Sequence, residues 1–255
     1  ENFRFTGKNF DKNYEASELT QNFYRAFYKN FRTRFKLKFF STKPEIFIFK
    51  DRKEFLQYHK NKTWTDLPNN SAYYDTKYSR ILMHWNLDIK RTIYHELTHL
   101  IMDLGINNLN PQWSLWFSEG IAVYFEFCHI VKNNLKLIPE APPISVQWFI
   151  FKKLQNNNLL TVPEILKATR KDFQGKNNEL YYYQSYMMID FLIHSNDGQY
   201  KDKFFHYFNE ESKNGKCPTY IFWKIIGKNP KTFSQEYYLF LKKEAESWKK
   251  SFWSQ

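Results

Sequence analysis

The spacing of apolar residues divides the chain into two parts. Up to about residue 105, stretches in which apolar residues recur every second position alternate with segments of helical period. Strands are predicted at residues 2–6, 45–50, 72–75 and 80–86. From Ile106 onward every periodic segment is helical. The pattern predicts an α+β fold with an N-terminal α/β lobe (residues 1–105), which contains a small mixed sheet, and a C-terminal all-helical lobe (residues 106–255).

Two features of the first lobe allow alternative interpretations. A helix is predicted from about residue 14 to 31, opened by Asp11 or Asn13, but residues 31–39 alternate with period two and could belong to a strand. The strand at 80–86 could be an interior strand or an edge strand whose free backbone groups pair with an extended peptide. Asp51 is expected to cap a short helix, and Asn69 and Asn70 are expected to form a turn.

The second lobe is predicted as a succession of helices. Pro111 precedes the first of them, and Thr161-Val-Pro-Glu164 has the pattern of a capping box. A hinge between the lobes is expected at residues 105–111, which would place a cleft between them, where ligands prefer to bind. The predicted helices cover about residues 113–129, 144–154, 178–194, 199–213, 218–226 and 231–253.

The helix predicted at residues 88–104 carries the chemically most informative stretch of the chain. Asn86 or Asp88 can cap its start, and Gly105 is expected as the glycine just beyond its end. Its apolar positions form a broad face, and His95 and His99 lie off the centre of that face. A plain structural interpretation is that the two histidines are half-buried and hydrogen-bonded in a core helix.

The alternative interpretation is a metal site, since the stretch reads His95-Glu96-Leu-Thr-His99. Residues four apart lie on one face of a helix, so two imidazole nitrogens can bind one zinc ion. Glu96 lies about 100° further round the helix, where it can act as a general base on zinc-bound water without being a ligand. Two histidines leave a catalytic zinc one protein ligand short.

The following helix carries Trp116-Phe-Ser-Glu119-Gly120-Ile-Ala-Val-Tyr124-Phe. Together with His-Glu-Leu-Thr-His, this segment resembles the gluzincin metallopeptidases, in particular the peptidase-MA-like members. The resemblance implies a zincin-like fold, a Zn²⁺ cofactor with Glu119 as third ligand, and hydrolysis of a peptide or protein substrate. The Gly-Ala-Met-Glu-Asn-like segment with which the aminopeptidase branch binds a free amino terminus does not occur. An exopeptidase is therefore unsupported, and an endopeptidase is expected by default.

Several assignments around this site have competitors. Glu126 lies seven residues after Glu119, on the same helix face, and is the rival third ligand. The resemblance suggests that a tyrosine or histidine stabilises the oxyanion. The candidates are Tyr181, Tyr182 and Tyr183, of which Tyr182 matches best, although plain aromatic packing explains this residue equally well. Asp103 could orient the His99 ring or could be an ordinary helix-end carboxylate.

Composition adds little to these expectations. The formal net charge of +12 comes with lysines spread over the whole chain, so no specific nucleic-acid site is expected. The two cysteines, Cys128 and Cys217, could form a disulfide in an exported protein or remain buried thiols. No apolar run is long enough to span a membrane. The start at Glu1, without a leader, is compatible with a secreted or cell-envelope protein, peripheral or lipid-anchored, or with a shortened chain.

Two other classes of function compete with the peptidase. One is a non-catalytic envelope or adhesion module that retains a zincin fold, although Glu96, which catalysis requires, is present. The other is a protease that acts on DNA-bound proteins, which the positive charge suggests. That type uses a third histidine soon after the motif, and no histidine occurs between His99 and His129.

Overall fold

The computed structural model describes residues 2–7, 10–60, 71–106, 112–131 and 133–252. Its backbone contacts group into two compact units. Unit 1 comprises Glu1–Leu109 and Cys128–Pro139, and unit 2 comprises Asn110–Phe127 and Glu140–Gln255. The predicted turn at Asn69 and Asn70, and residues 107–111 of the predicted hinge, lie outside the described residues.

Unit 1 is a mixed α and β structure, as predicted. Its elements in chain order are β1 (Arg4–Thr6), α1 (Phe10–Phe35), β2 (Glu45–Phe49), α2 (Arg52–Lys60), β3 (Ala72–Asp75), β4 (Arg80–His84) and α3 (Ile89–Gly105), followed by the hairpin of β5 (Cys128–Val131) and β6 (Lys136–Pro139). Asp51 accepts a hydrogen bond from the Glu54 backbone N–H over 2.9 Å at the start of α2, so the predicted cap is confirmed.

The four-stranded sheet has the order β1-β2-β4-β3. Strands β1, β2 and β4 run parallel to one another, with Phe49 of β2 paired to His84 of β4. Strand β3 runs antiparallel to β4. Ile81, Leu82 and Met83 are fully buried, so both faces of β4 are covered, as in an interior strand. The edge-strand interpretation of residues 80–86 is therefore wrong, and β3 borders the sheet on that side within the described residues.

Helix α1 is longer than predicted. It begins at Phe10, so that Asp11 and Asn13 lie inside it rather than capping it, and it continues to Phe35. Phe31 packs against Phe27 and Phe35, with ring centroids 5.5 Å away from each. This four-residue spacing of aromatic rings overrides the period-two alternation. The strand interpretation of residues 31–39 is wrong.

The prediction that only helices follow Ile106 is also wrong, because residues 128–139 form the β5–β6 hairpin. The helix predicted at 113–129 ends at Glu126. Two hydrogen bonds of 2.8 Å join the hairpin turn to α1. The Lys29 side chain donates to the Asn134 carbonyl, and the Asn30 side chain donates to the Leu135 carbonyl. These contacts explain why the hairpin belongs to unit 1.

In the described part of unit 2 the regular structure is helical. Its helices are α4 (Leu115–Glu126), α5 (Ile144–Gln155), α6 (Val162–Leu166), α7 (Arg170–Gln174), α8 (Asn178–His194), α9 (Lys201–Asn214), α10 (Thr219–Ile226) and α11 (Pro230–Phe252), with one 3-10 turn after α8. The predicted helices are confirmed apart from small shifts at their ends, and α7 was missed. Thr161 and Glu164 form the predicted capping box.

Both cysteines are buried free thiols, the second of the two alternatives left open. Across the described residues, every helix is too short or too polar to cross a membrane.

A titratable cluster lies on α8 in unit 2. The Asp190 carboxylate is 3.9 Å from His194 Nε2, and this nitrogen also lies 2.9 Å from the Tyr124 hydroxyl. Burial, with a smaller contribution from the charge of Glu244, raises the pKa of Asp190 to about 7. Burial lowers the pKa of His194. The native state therefore keeps a proton on Asp190 that the unfolded chain releases near pH 4.

We predict that Asp190 makes the protein less stable as the pH rises from about 4 to about 7. Asp190→Asn imitates the protonated side chain and removes this dependence. The free energy of unfolding of the wild type minus that of the variant should fall by about 2 kcal/mol between pH 5 and pH 8. Urea unfolding of both proteins at the two pH values measures it, and an equal difference at both would contradict the prediction.

Candidate metal centre

Helix α3 is formed by a strongly apolar segment that follows β4 directly. Ile93, Leu97 and Leu100 are essentially inaccessible to solvent and form its buried face. Asp88 occupies the N-cap position, but its side chain makes no capping bond. Instead, Asn86 accepts a hydrogen bond of 2.8 Å from the Asp88 backbone N–H. The chain between strand and helix is therefore held by its own local hydrogen bonds.

Gly105 was predicted to lie just beyond the helix, and this prediction is wrong. It is the last residue of α3, and Ile106 is the C-cap, in an extended conformation. A Cβ at Gly105 would come within 3.1 Å of Leu37 Cδ2 and of the Tyr28 hydroxyl. Close packing, rather than left-handed backbone geometry, explains this glycine.

His95 and His99 lie one turn apart on α3, half-buried, with their Nε2 atoms 3.2 Å apart. Their rings are inclined at 75° to each other. Two imidazoles that bind one tetrahedral zinc ion at about 2.0–2.1 Å place their nitrogens about 3.3 Å apart. The two rings thus already have the separation that binding to a single ion requires.

Glu119 of α4 completes the donor set. The imidazole nitrogens of His95 and His99 and a carboxylate oxygen of Glu119 all lie within 4.8 Å of one another. These three residues could therefore hold a metal ion. The rival ligand Glu126 is half-buried at the end of α4 and is not part of this group.

The residue after Glu119 explains how α4 is placed within unit 2. A Cβ at Gly120 would lie 2.7 Å from the Ser185 carbonyl oxygen and 2.9 Å from Ile189 Cγ1. Such distances are too short for any side chain, so glycine alone allows α4 to approach the backbone of α8 this closely. Glu119 directly precedes this contact, so its backbone position is tied to the packing of α4 against α8.

A buried carboxylate fixes the start of α4. Glu211 of α9 is completely buried and accepts hydrogen bonds from the Ser114 N–H (2.8 Å), the Ser114 hydroxyl (2.5 Å) and the Tyr207 hydroxyl (2.6 Å). The Cys217 N–H is a fourth donor, at 3.2 Å. The pKa of Glu211 is nevertheless raised, because burial outweighs the four hydrogen bonds. Ser114 is the N-cap of α4, so this network anchors the helix that bears Glu119.

Sequence reasoning missed Glu211, although a signal was present. Phe204, Phe208 and Glu211 recur at four- and three-residue spacing on the buried face of α9. A carboxylate on an apolar face requires buried hydrogen-bond donors. The sequence could not indicate that the donors would come from Ser114, which lies 97 positions away.

Glu96, the predicted general base, is buried, with 9% of its surface exposed. It follows His95 directly in α3, as the motif requires. The structure therefore places a shielded carboxylate beside one of the three donor residues. Its role in proton transfer stays a prediction.

Tyr182, the predicted oxyanion-stabilising residue, lies half-buried on α8. Its ring packs edge-to-face on Phe173, with ring centroids 5.0 Å apart. This contact is the aromatic packing expected as the alternative role of Tyr182. Burial and, after it, the charge of Asp103 raise the pKa of the Tyr74 hydroxyl of β3. The roles proposed for Tyr182 and Asp103 stay predictions.

Comparison with known proteins does not identify a family. No protein-family model matches the chain, and a search of the curated proteins finds no significant match. The resemblance to gluzincins therefore rests on the two sequence motifs and stays an expectation.

We predict that Gly120→Ala displaces α4 from α8 and lowers stability by about 1–3 kcal/mol, the usual effect of overpacking a core. Because Glu119 moves with the helix, metal affinity should fall by about ten-fold. Thermal unfolding and titration with Zn²⁺ measure the two effects. Gly175→Ala, at the end of α7, is the control and should leave metal affinity unchanged. Unchanged stability of Gly120→Ala would show that the close approach is not a constraint.

A second prediction separates the two candidate carboxylate ligands. Glu119→Ala should weaken metal binding by more than the roughly 10- to 100-fold that loss of a supporting partner causes, since it removes a donor atom. Glu126→Ala makes the same chemical change seven residues further along α4 and should leave the affinity unaltered. The measurement is competitive titration against a chromophoric chelator, and a reversed order of the two variants would assign the ligand to Glu126.

Proposed function

We propose that this protein is a zinc-dependent peptide hydrolase, with His95, His99 and Glu119 as the metal ligands and Glu96 as the general base. The observation that carries the proposal is the grouping of the three donors within 4.8 Å, with Glu96 next to His95 in the chain. Each donor was expected from the sequence alone, and the grouping supports the expectation.

The donor set fits zinc. Two imidazole nitrogens and one carboxylate are a usual set for a catalytic zinc ion, which keeps a further position for water. Binding through Nε2 requires that His95 and His99 each carry their proton on Nδ1. When bound, zinc would polarise the scissile carbonyl and lower the pKa of the attacking water.

Glu96 supplies the proton transfer in this proposal. Its carboxylate accepts one proton from the attacking water as the oxygen bonds to the carbonyl carbon, and it then delivers that proton to the leaving amine nitrogen as the C–N bond breaks. Base and acid are thus the same carboxyl group, which regains its starting state in each cycle. Burial of Glu96 favours this role, because few water molecules can compete for the proton.

The remaining parts of the proposal concern the substrate. We assign to the Tyr182 hydroxyl a hydrogen bond to the carbonyl oxygen as it gains negative charge. We propose an endopeptidase acting on a peptide or protein, because the chain has no Gly-Ala-Met-Glu-Asn-like segment that would support an aminopeptidase. The interior position of β4 means that strand 80–84 is not the segment that pairs with such a substrate.

We predict that Glu96→Gln retains one zinc ion per chain and lowers the rate of peptide cleavage by about 10²- to 10⁴-fold, the usual contribution of a general base. Cleavage of a broad peptide library, followed by mass spectrometry, gives the rate, and native mass spectrometry gives the zinc content. Glu126→Gln is the matched control and should cleave like the wild type.

Two outcomes would contradict the proposal. Full activity of Glu96→Gln would remove this residue from the mechanism. Stoichiometric zinc in the wild type without cleavage of any library member would favour the non-catalytic binding module instead.

A further inference from the structure

A pocket of about 300 Å³ lies in unit 2, between the end of α5, the loop that leads into α6, and α11. This volume is at the lower end of the range for small-molecule sites. None of the three donor residues of the metal centre lines it. Its walls are mainly hydrocarbon, supplied by Leu154, Leu159, Leu160, Val162, Tyr237 and Leu241.

The backbone around the pocket is held rigidly by a buried amide. Gln184 of α8 is completely buried, and its side chain accepts a hydrogen bond from Leu160 N–H (2.5 Å) and donates one to Leu160 C=O (3.2 Å). The Tyr237 hydroxyl donates a hydrogen bond of 3.2 Å to the backbone carbonyl of Gln184. These polar groups of the walls are satisfied by one another, so the interior suits a ligand part that makes no hydrogen bonds.

A positive charge lies beside Tyr238, one of the residues that line the pocket. Tyr238 lines the pocket and is about one-third exposed, and Lys242 Nζ lies 4.8 Å from the centre of its ring. Exposed aromatic rings with a lysine one turn later are suited to a boundary between hydrocarbon and water.

A different part of the lining, at Thr161, lies beside the carboxylate of Glu164. Glu164 accepts hydrogen bonds of 2.7 Å from both the N–H and the hydroxyl of Thr161. An anionic ligand group is therefore favoured near Lys242 and disfavoured near Thr161. Tyr238 and Thr161, both in the lining, thus contact side chains of opposite charge, and this asymmetry gives a bound molecule a defined direction.

We propose that this pocket binds a single-chain amphiphile with a carboxylate head group, taken up as a monomer. The alkyl chain fills the space between the leucines, and the carboxylate lies beside Tyr238 and Lys242. The apolar walls account for the chain, the Lys242 ammonium accounts for the sign of the head group, and the volume limits the ligand to one chain.

The first test needs only the wild-type chain. Isothermal titration calorimetry with octanoate, decanoate and dodecanoate, each below its micelle concentration, should show one site per chain. The dissociation constant should fall about four-fold for each added methylene until the pocket is full. Absence of saturable binding, or an affinity independent of chain length, would overturn the proposal.

The second test locates the ligand. Ser234 lines the pocket, so the ring of Ser234→Phe should obstruct it and strongly weaken decanoate binding. Gln235→Phe, one position along on the exposed side of α11, should bind normally. Unaltered binding to Ser234→Phe would overturn the proposal. If this variant does not fold, the chain-length series alone decides.

The third test concerns the head group and the source of the ligand. Wild-type protein should prefer decanoate over decanol, and Lys242→Gln should reduce this preference by about two- to five-fold, the range of an exposed charge interaction. Binding to vesicles of an anionic phospholipid without binding of monomeric decanoate would show adsorption to a charged surface, and would refute the pocket as the site.

Discussion

The candidate metal centre depends on how closely α4 approaches α8 at Gly120. Helix α4 is buried along nearly its whole length, and Glu119 is one of its few half-buried positions. A helix of this kind can carry a functional carboxylate only if packing determines which of its residues faces the site. Within unit 2 the packing of α4 is closest at Gly120, where an added Cβ would lie 2.7 Å from the Ser185 carbonyl oxygen, so no larger residue can occupy the position.

The two histidines are positioned by a different principle. They need no long-range contact to meet, since residues four apart on any helix are neighbours. The fold adds support for α3. This helix begins shortly after the interior strand β4, and Ile93, Leu97 and Leu100 on its apolar face are buried. A site whose geometry must hold to within a fraction of an ångström benefits from being built on such elements rather than on loops.

The difference between these two principles explains what the sequence could and could not predict. The grouping of His95 and His99 could be predicted because their relation is local, and that of Glu119 through a second motif, whereas the role of Glu96 stays a prediction. The anchor formed by Glu211 and Ser114 joins residues far apart in the chain, and periodicity contains no information on such pairs. The β5–β6 hairpin was missed because its strands are four residues long and directly follow an apolar helix, where short apolar runs fit either structure. In α1, in contrast, two local signals conflicted, and aromatic contacts along the helix decided the outcome.

The most direct test of the metal centre is an anomalous difference map, recorded at the zinc edge, of a crystal grown with Zn²⁺. We expect one strong peak per chain within about 2.0–2.2 Å of His95 Nε2, His99 Nε2 and a carboxylate oxygen of Glu119. A peak bound to other residues, or no peak at this site in zinc-saturated protein, would contradict it.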